Sequence, residues 1–164
     1  MATTANRIIL AGADGVRFEE YIAGASLYPG HLIELYNAAG TGKVRKNSDE
    51  GGFCERLFAI ENALEGLTPG VAATEGITIT TAYSSTERVF CAACKPGTVV
   101  YAYLKAGVSY AIGDKLTSGG DGTLIKTSSL STTTELQDVV GVLTEALDLS
   151  ATGAVDTRGI VRLI

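Results

Sequence analysis

Residues 95–126 read KPGTVVYAYLKAGVSYAIGDKLTSGGDGTLIK, and this stretch decides the fold. Pro96-Gly97 opens it as a turn, because proline presets one backbone angle and glycine accepts a positive one. Val99, Tyr101 and Tyr103 alternate with Val100, Ala102 and Leu104, the two-residue period of a strand with two different faces. Gly107 breaks that strand. A second extended run reaches Leu116, and Ser118-Gly119-Gly120-Asp121-Gly122 turns the chain back into Thr123-Leu124-Ile125-Lys126. Asp-Gly between two such runs is a strong hairpin signal. The unit is a compact β element with tight polar corners and no catalytic side chain at its turns.

The whole chain agrees with that reading. Its 164 residues fit one domain that can bury about two thirds of its unfolded surface without staples. There are 20 glycines and no tryptophan, and the apolar residues are mainly Val, Ile, Leu and Ala, as turn-rich β domains require. No apolar run is long enough to cross a membrane as a helix. The start, MATTANRIILAGADG, lacks the basic opening and long apolar core of a secretory signal, so synthesis is expected in a cytosol.

The net charge is −5, and the excess of acid is local. Between Glu135 and Asp156 lie five acids and no base, a stretch expected to face solvent. Lys43, Arg45 and Lys46 form the only basic cluster, and it reads as a solvated hairpin arm beside Asp49 and Glu50. A nucleic-acid binder needs a basic stripe to displace counterions, so direct nucleic-acid contact is not expected.

Outward from the central unit, residues 1–15 read as an N-terminal arm and 16–164 as the β-rich domain. Ile8-Ile9-Leu10 is a short apolar knot with too little neighbouring sequence to bury itself, so these three are the candidate anchors of the arm on a partner's sheet. Val16–Gly24 and Leu32–Tyr36 flank the turn Tyr28-Pro29-Gly30-His31 and read as a hairpin or a broad β connection. Asn37–Gly42 turns into Lys43–Lys46. Phe53, Leu57, Ile60 and Leu64 recur at steps of four, three and four, which predicts an extended start running into one short helix that Gly66 ends.

Residues 67–76 form a loop punctuated by Pro and Gly, and Ile77–Tyr83, rich in Thr and Ile, is a strand by composition. Ser84-Ser85-Thr86 turns into Arg88–Ala93. Thr127–Thr134 is nearly all Ser and Thr and reads as an exposed loop. Val139–Leu147 carries a helical stripe, yet Gly141 would cost about 1 kcal/mol inside a helix, so strand is the better choice. Arg158–Ile164 ends the chain apolar and is expected to be tied into a sheet.

Constellations for chemistry are thin. Ala39-Gly40-Thr41-Gly42-Lys43 approximates a phosphate loop but has Asn37 where glycine is needed and Val44 where Ser or Thr is needed. Cys91, Cys94, Cys54 and His31 are four potential zinc ligands, but thiols three apart on a strand face opposite sides, so no metal site is expected. In a cytosolic product the cysteines are expected to stay reduced. One histidine leaves one candidate base for any nucleophile, and His31 beside Pro29-Gly30 reads as a turn residue. Glu19 and Glu20 point to opposite faces of a strand and do not converge on a glycosidic bond. No catalytic residue, cofactor site or enzyme activity is expected.

The chain resembles the capsid decoration, or cement, proteins of tailed bacteriophages. The resemblance rests on Pro29-Gly30-His31-Leu32, Gly42-Lys43-Val44, Phe58-Ala59-Ile60-Glu61-Asn62-Ala63-Leu64-Glu65-Gly66 and Ala82-Tyr83. It continues through Pro96-Gly97, Tyr101-Ala102-Tyr103-Leu104, Gly113-Asp114-Lys115-Leu116 and Gly120-Asp121-Gly122-Thr123-Leu124, and closes on Gly141–Leu147 and Val161-Arg162-Leu163. The connection over 67–77 looks longer than the family's, and no glycine precedes Arg88-Val89.

What the resemblance implies is a mainly β protein, a β-barrel or β-sandwich-like domain, here with one or two short helices and an extended N-terminal arm. It implies a homotrimer bound to the phage major capsid protein on the outer surface of a virion, made in the host bacterial cytoplasm, without membrane or cofactor. Tyr101 and Tyr103 are expected in core or intersubunit packing. The alternative is a glycan-binding β module displayed on a virion or cell, for which seven tyrosines and no tryptophan make a sparse platform.

Overall fold

The structure is a computed structural model that describes residues 5–62, 78–129 and 138–164. Its strands, in chain order, begin with β1 (Ile9–Ala11), β2 (Arg17–Ala23), β3 (Ile33–Ala38) and β4 (Thr41–Lys46). β5 (Leu57–Ala59), β6 (Arg88–Ala93), β7 (Val99–Leu104) and β8 (Ser109–Tyr110) follow. β9 (Lys115–Ser118), β10 (Leu124–Lys126), β11 (Gly141–Leu143), β12 (Leu147–Asp148) and β13 (Thr157–Leu163) complete the set. The only helical turns among the described residues are two three-residue 3-10 segments, Ala13–Gly15 and Thr127–Ser129.

The protein is mainly β, and of barrel and sandwich it forms the barrel. β7 is the stave from which the ring is built. It pairs antiparallel with β13 along its whole length, from Thr157 opposite Leu104 to Arg162 opposite Val99. β13 then pairs with β11, β11 with β9, and β9 with β10, the hairpin that Asp121-Gly122 announces. A parallel contact of Leu124 with Leu104 brings β10 back to β7 and closes five strands. The two-residue period of β7 sends Val100, Ala102 and Leu104 inward, where they meet Leu116, Leu124, Leu143, Val161 and Leu163, all out of water. The ribbon of β8 and β12 adds Tyr110, Leu147 and Leu149 to the same core.

A second sheet, in the order β3-β4-β2-β6-β5, curls until its ends meet. The residues entering β3 lie along β5, with Leu32 bridged to Phe58, the Gly30 N–H donating to the Ala59 carbonyl at 2.8 Å and the Ala59 N–H to that of His31 at 3.1 Å. Its interior holds Ala23, Leu27, Ile33, Val44, Leu57, Ala59, Tyr83, Val89 and Cys91. Leu32, Cys54 and Phe58 belong instead to the barrel's cluster, so the two β units share a core at their junction.

Several expectations are corrected. Val16–Gly24 and Leu32–Tyr36 are both strands, but they are not a hairpin: β4 lies between them and pairs parallel with β2 through Ile22 and Ala23. The helix expected after Phe53 is absent from the described part of that segment. Leu57–Ala59 is buried strand and Phe53 is 84% exposed, because tertiary neighbours on β6 override a three-and-four spacing that is too short to define a helix. Of residues 77–83, the described part turns through a Thr81 N–H to Thr78 carbonyl bond, and only Tyr83 bridges, to Leu27. The extended run up to Leu116 is broken by a turn over residues 111–114 into β8 and β9, and the strand at 139–147 is split into β11 and β12. The loop at 67–76 and most of 127–134 lie outside the described residues.

Candidate functional site: the arm seam and the tyrosine junction

β10 reaches only the Leu104 end of β7, which leaves the same edge open at Val99–Tyr101. The N-terminal segment occupies that opening. Ile9 stands opposite Val100 and Ala11 opposite Val99, with an irregular step between them, and the Tyr101 N–H donates to the Ile8 carbonyl at 2.8 Å. Ile8 is fully buried against Ile60 and Ala92, on the outward-facing side of the second sheet, and its N–H donates to a Glu61 carboxylate oxygen at 3.0 Å. The arm therefore fastens one β unit to the other. Of its three apolar residues, Ile8 is core, Ile9 is half-buried, and Leu10, 37% exposed, is the one turned outward.

Beside this seam lies an apolar feature that the sequence reading passed over. Phe18 on β2 is 57% exposed and stands opposite Ala92, and Phe90 stands opposite Glu20 on the same outer face. Alternation along Val16–Gly24 was the available signal, since Tyr21 and Ala23 face the interior and Phe18 takes the other parity.

Tyr101 is nearly buried and Tyr103 half-buried, at the joint between the units. Gly30 supplies the carbonyl that accepts the Tyr103 N–H at 3.0 Å, and Leu32 donates to the Gly122 carbonyl at 2.8 Å. Gly30 has φ of 96°, and a β-carbon there would come within 2.9 Å of the Tyr101 carbonyl, so this corner accepts glycine on both counts. The His31 ring lies 4.6 Å from that of Tyr103 and 6.0 Å from that of Tyr28. Arg158 covers the other side of the tyrosine, 4.2 Å above its ring, and donates to the Pro29 carbonyl at 2.9 Å and to the Ile79 carbonyl.

The electrostatics follow from this packing. Burial pushes the His31 imidazole down to about 3, Lys46 and Arg158 push the same way, and only Asp121 opposes them. The Tyr28 N–H donates to His31 Nδ1 at 3.0 Å, a bond that requires this nitrogen unprotonated. Burial also raises the Tyr103 hydroxyl, against the pull of Arg158.

The candidate metal ligands are dispersed. Cys91 lies inside the second sheet, Cys94 packs outside it, and Cys54 packs in the barrel cluster beside Asp138. Among the described residues no group of three or more His, Cys, Asp or Glu could hold a metal ion. Glu19 accepts from the Tyr21 hydroxyl and pairs with Arg17, whereas Glu20 pairs with Arg88 at 3.1 Å on the opposite face. The glycines near Lys43 form a hairpin tip, with positive φ at Ala39 and Gly40 and the Gly40 N–H capped by Asn37 at 2.7 Å. Arg45 is engaged by Glu34 at 2.7 Å and lies over Tyr36.

The acidic stretch is more than a solvated face. Asp138 accepts the Cys54 N–H, Glu145 the Ile160 N–H, Asp148 the Ser150 N–H and Asp156 the Ala106 N–H. Each carboxylate thus completes a backbone donor that its loop or strand end leaves open.

No protein-family model matches the chain, and no curated protein matches it. Among solved structures it is similar to the N base of the head fiber protein gp8.5 of bacteriophage phi29. The identity is 15%, the TM-score is 0.48, and the match covers 91% of this chain and 94% of that one.

Proposed function

We propose that this chain is a structural virion protein of a tailed bacteriophage, one that binds the outer surface of the capsid as a homotrimer at three-fold or quasi-three-fold positions. Its role is mechanical, and it carries out no bond-making chemistry. The observation that supports this reading is where the decoration-protein pieces fall in space. Far apart in sequence, they are bonded to one another: Pro29-Gly30-His31-Leu32 to Phe58-Ala59, to Tyr103 and to Gly122 at the junction, and Pro96-Gly97 to Leu163 within the barrel. Four of these pieces meet at the junction of the two β units, an arrangement that scattered similarities of composition would not produce.

The physical task is adhesion. An expanded shell loaded with DNA tends to part at the seams between its subunits, and a clip that touches several subunits resists that parting. Tethered contacts gain by effective concentration, so patches of modest size suffice where three act together. One standard patch would bury about 1,600 Å² in total. Among the described residues, Leu10 and Phe18 are exposed apolar side chains beside the arm seam that could meet a partner. A strand laid beside β1 would add backbone hydrogen bonds that tolerate drift in the partner's sequence.

The test is to mix the purified protein with undecorated expanded heads of the phage that encodes it, then to measure bound copies, the heat resistance of the heads, and the mass of the free protein in solution. Saturable binding in multiples of three, with heads that survive higher temperature, is the expected result. A monomer that leaves heads bare overturns the reading.

A further inference from the structure

The chain has a single histidine, and the fold places it where the two β units meet. His31 is 4% exposed. Its carbonyl accepts from Ala59 of β5, its Nδ1 accepts from Tyr28, and its ring packs on Tyr103 of β7. The neighbouring residues Gly30 and Leu32 make the bonds to β7 and to the β9–β10 turn. The junction thus hangs on a short segment whose central side chain is a neutral hydrogen-bond acceptor.

The groups around that side chain oppose a positive charge. Lys46 comes from β4 and Arg158 from β13, both cationic, and among the described residues Asp121 from the β9–β10 turn is the acid that acts on the ring. Tyr28 and Tyr103 supply its aromatic walls and no charge that would compensate. A proton on Nδ1 would remove the acceptor of the Tyr28 N–H and put a third cation beside two others, in a place water does not reach.

We infer that His31 is an acid-operated latch between the barrel and the second sheet, shut while Nδ1 accepts the Tyr28 N–H and released when that nitrogen takes a proton from solvent. In the opened form the ring regains its ordinary value near 6.5, while in the closed form it is held near 3. The opened form therefore binds more protons than the closed one across that interval. Closure is at full strength above about 6.5 and weakens as pH falls towards 3, approaching tenfold in the opening equilibrium per pH unit. The upper part of the window, from 6.5 to roughly 5.5, lies above the ordinary carboxylate range and in the ordinary range of an imidazole, so it is the part that isolates His31. Asp121 and Glu34 are held below their usual values and act later.

Amide hydrogen exchange followed by NMR between pH 7 and roughly 5.5, corrected for the intrinsic pH dependence, tests this in the intact protein above the ordinary carboxylate range. The junction amides of Tyr28, Ala59, Leu32 and Tyr103 should lose protection about tenfold per unit below 6.5, while the Leu163 amide, bonded within the barrel to Thr98, holds. The imidazole resonances of the closed form should stay flat through 6.5. A His31→Asn variant keeps an acceptor and cannot titrate, so its junction protection should not change over the window. An imidazole that titrates near 6.5 without loss of protection overturns the latch. So does equal loss of junction and barrel amides, or loss that persists in the asparagine variant. If that variant does not fold, the wild-type ring titration and exchange decide the matter alone.

Discussion

The Ser118 hydroxyl donates to the side-chain oxygen of Asn47 at 2.5 Å, joining residues 71 apart in sequence that are both out of water. Asn47 also donates to Glu34 and accepts the Asp49 N–H, while Ser118 accepts from Gly120. The pair ties the end of β4 to the end of β9 beside the Leu32–Gly122 bond. Ser118→Ala leaves Asn47 Oδ1 and the Gly120 N–H short of a buried partner, at a cost of about 1–3 kcal/mol. A urea midpoint lowered at unchanged slope is the expected reading, and an unmoved midpoint would show that the pair contributes no net stability.

Gly141 is required by space and not by backbone angle. A β-carbon there would lie 2.7 Å from the Arg162 carbonyl oxygen and 2.7 Å from a Val161 methyl, both on the paired strand. Gly141→Ala should push β11 from β13 and cost about 1–3 kcal/mol, as overpacking does. In contrast Gly42, at the exposed hairpin, meets nothing within 4 Å, and Gly42→Ala should leave the thermal midpoint within about a degree or two.

Gly141 also shows what sequence reasoning reaches and what it misses. Its glycine argued against a helix and so for a strand, which is right, but the reason lies on a partner strand that no local window contains. β7, β13 and the β9–β10 hairpin were legible because each carries its own signal, alternation or a turn dipeptide. The described part of Phe53–Leu64 misled because apolar residues at helical spacing also arise where a short strand is buried on both faces, as Leu57, Phe58 and Ala59 are. Thr78–Tyr83 misled through composition, since threonines that favour strands also close turns through their hydroxyls, as Thr78 does towards Thr80 and Thr81. At the candidate site, the tyrosines were placed by their strand, whereas the fate of Ile8 depended on a gap beside β7 that only closure of the barrel creates.

The cysteines should be inert while the protein is folded. Burial pushes each thiol up to about 12, with Asp138 reinforcing the effect at Cys54 and Glu19 at Cys91. At pH 8 about one thiol in ten thousand would then be the reactive thiolate, against a substantial fraction for a free cysteine. A colorimetric thiol reagent should register almost nothing with native protein and three thiols after addition of denaturant. Prompt labelling of even one cysteine in the native state would contradict this.

Ile8 and Leu10 are two residues apart yet should fail in different ways. Ile8→Ala removes a fully buried side chain from a small cluster in which Ile60 and Ala92 are its buried neighbours, and should cost about 2–5 kcal/mol of stability. Leu10→Ser alters an outward side chain and should change stability by no more than about 0.5 kcal/mol. If the arm seam is where a capsid docks, the serine variant, folded as well as the parent, should bind expanded heads more weakly, whereas Ile8→Ala should lose binding only in step with folding. Deleting residues 1–10 confounds the two effects, because it also strips Tyr101 of its hydrogen-bond acceptor and opens the β7 edge. Paired measurement of head occupancy and denaturant midpoint on the two point variants separates them, and full occupancy by Leu10→Ser would move the docking surface away from the arm.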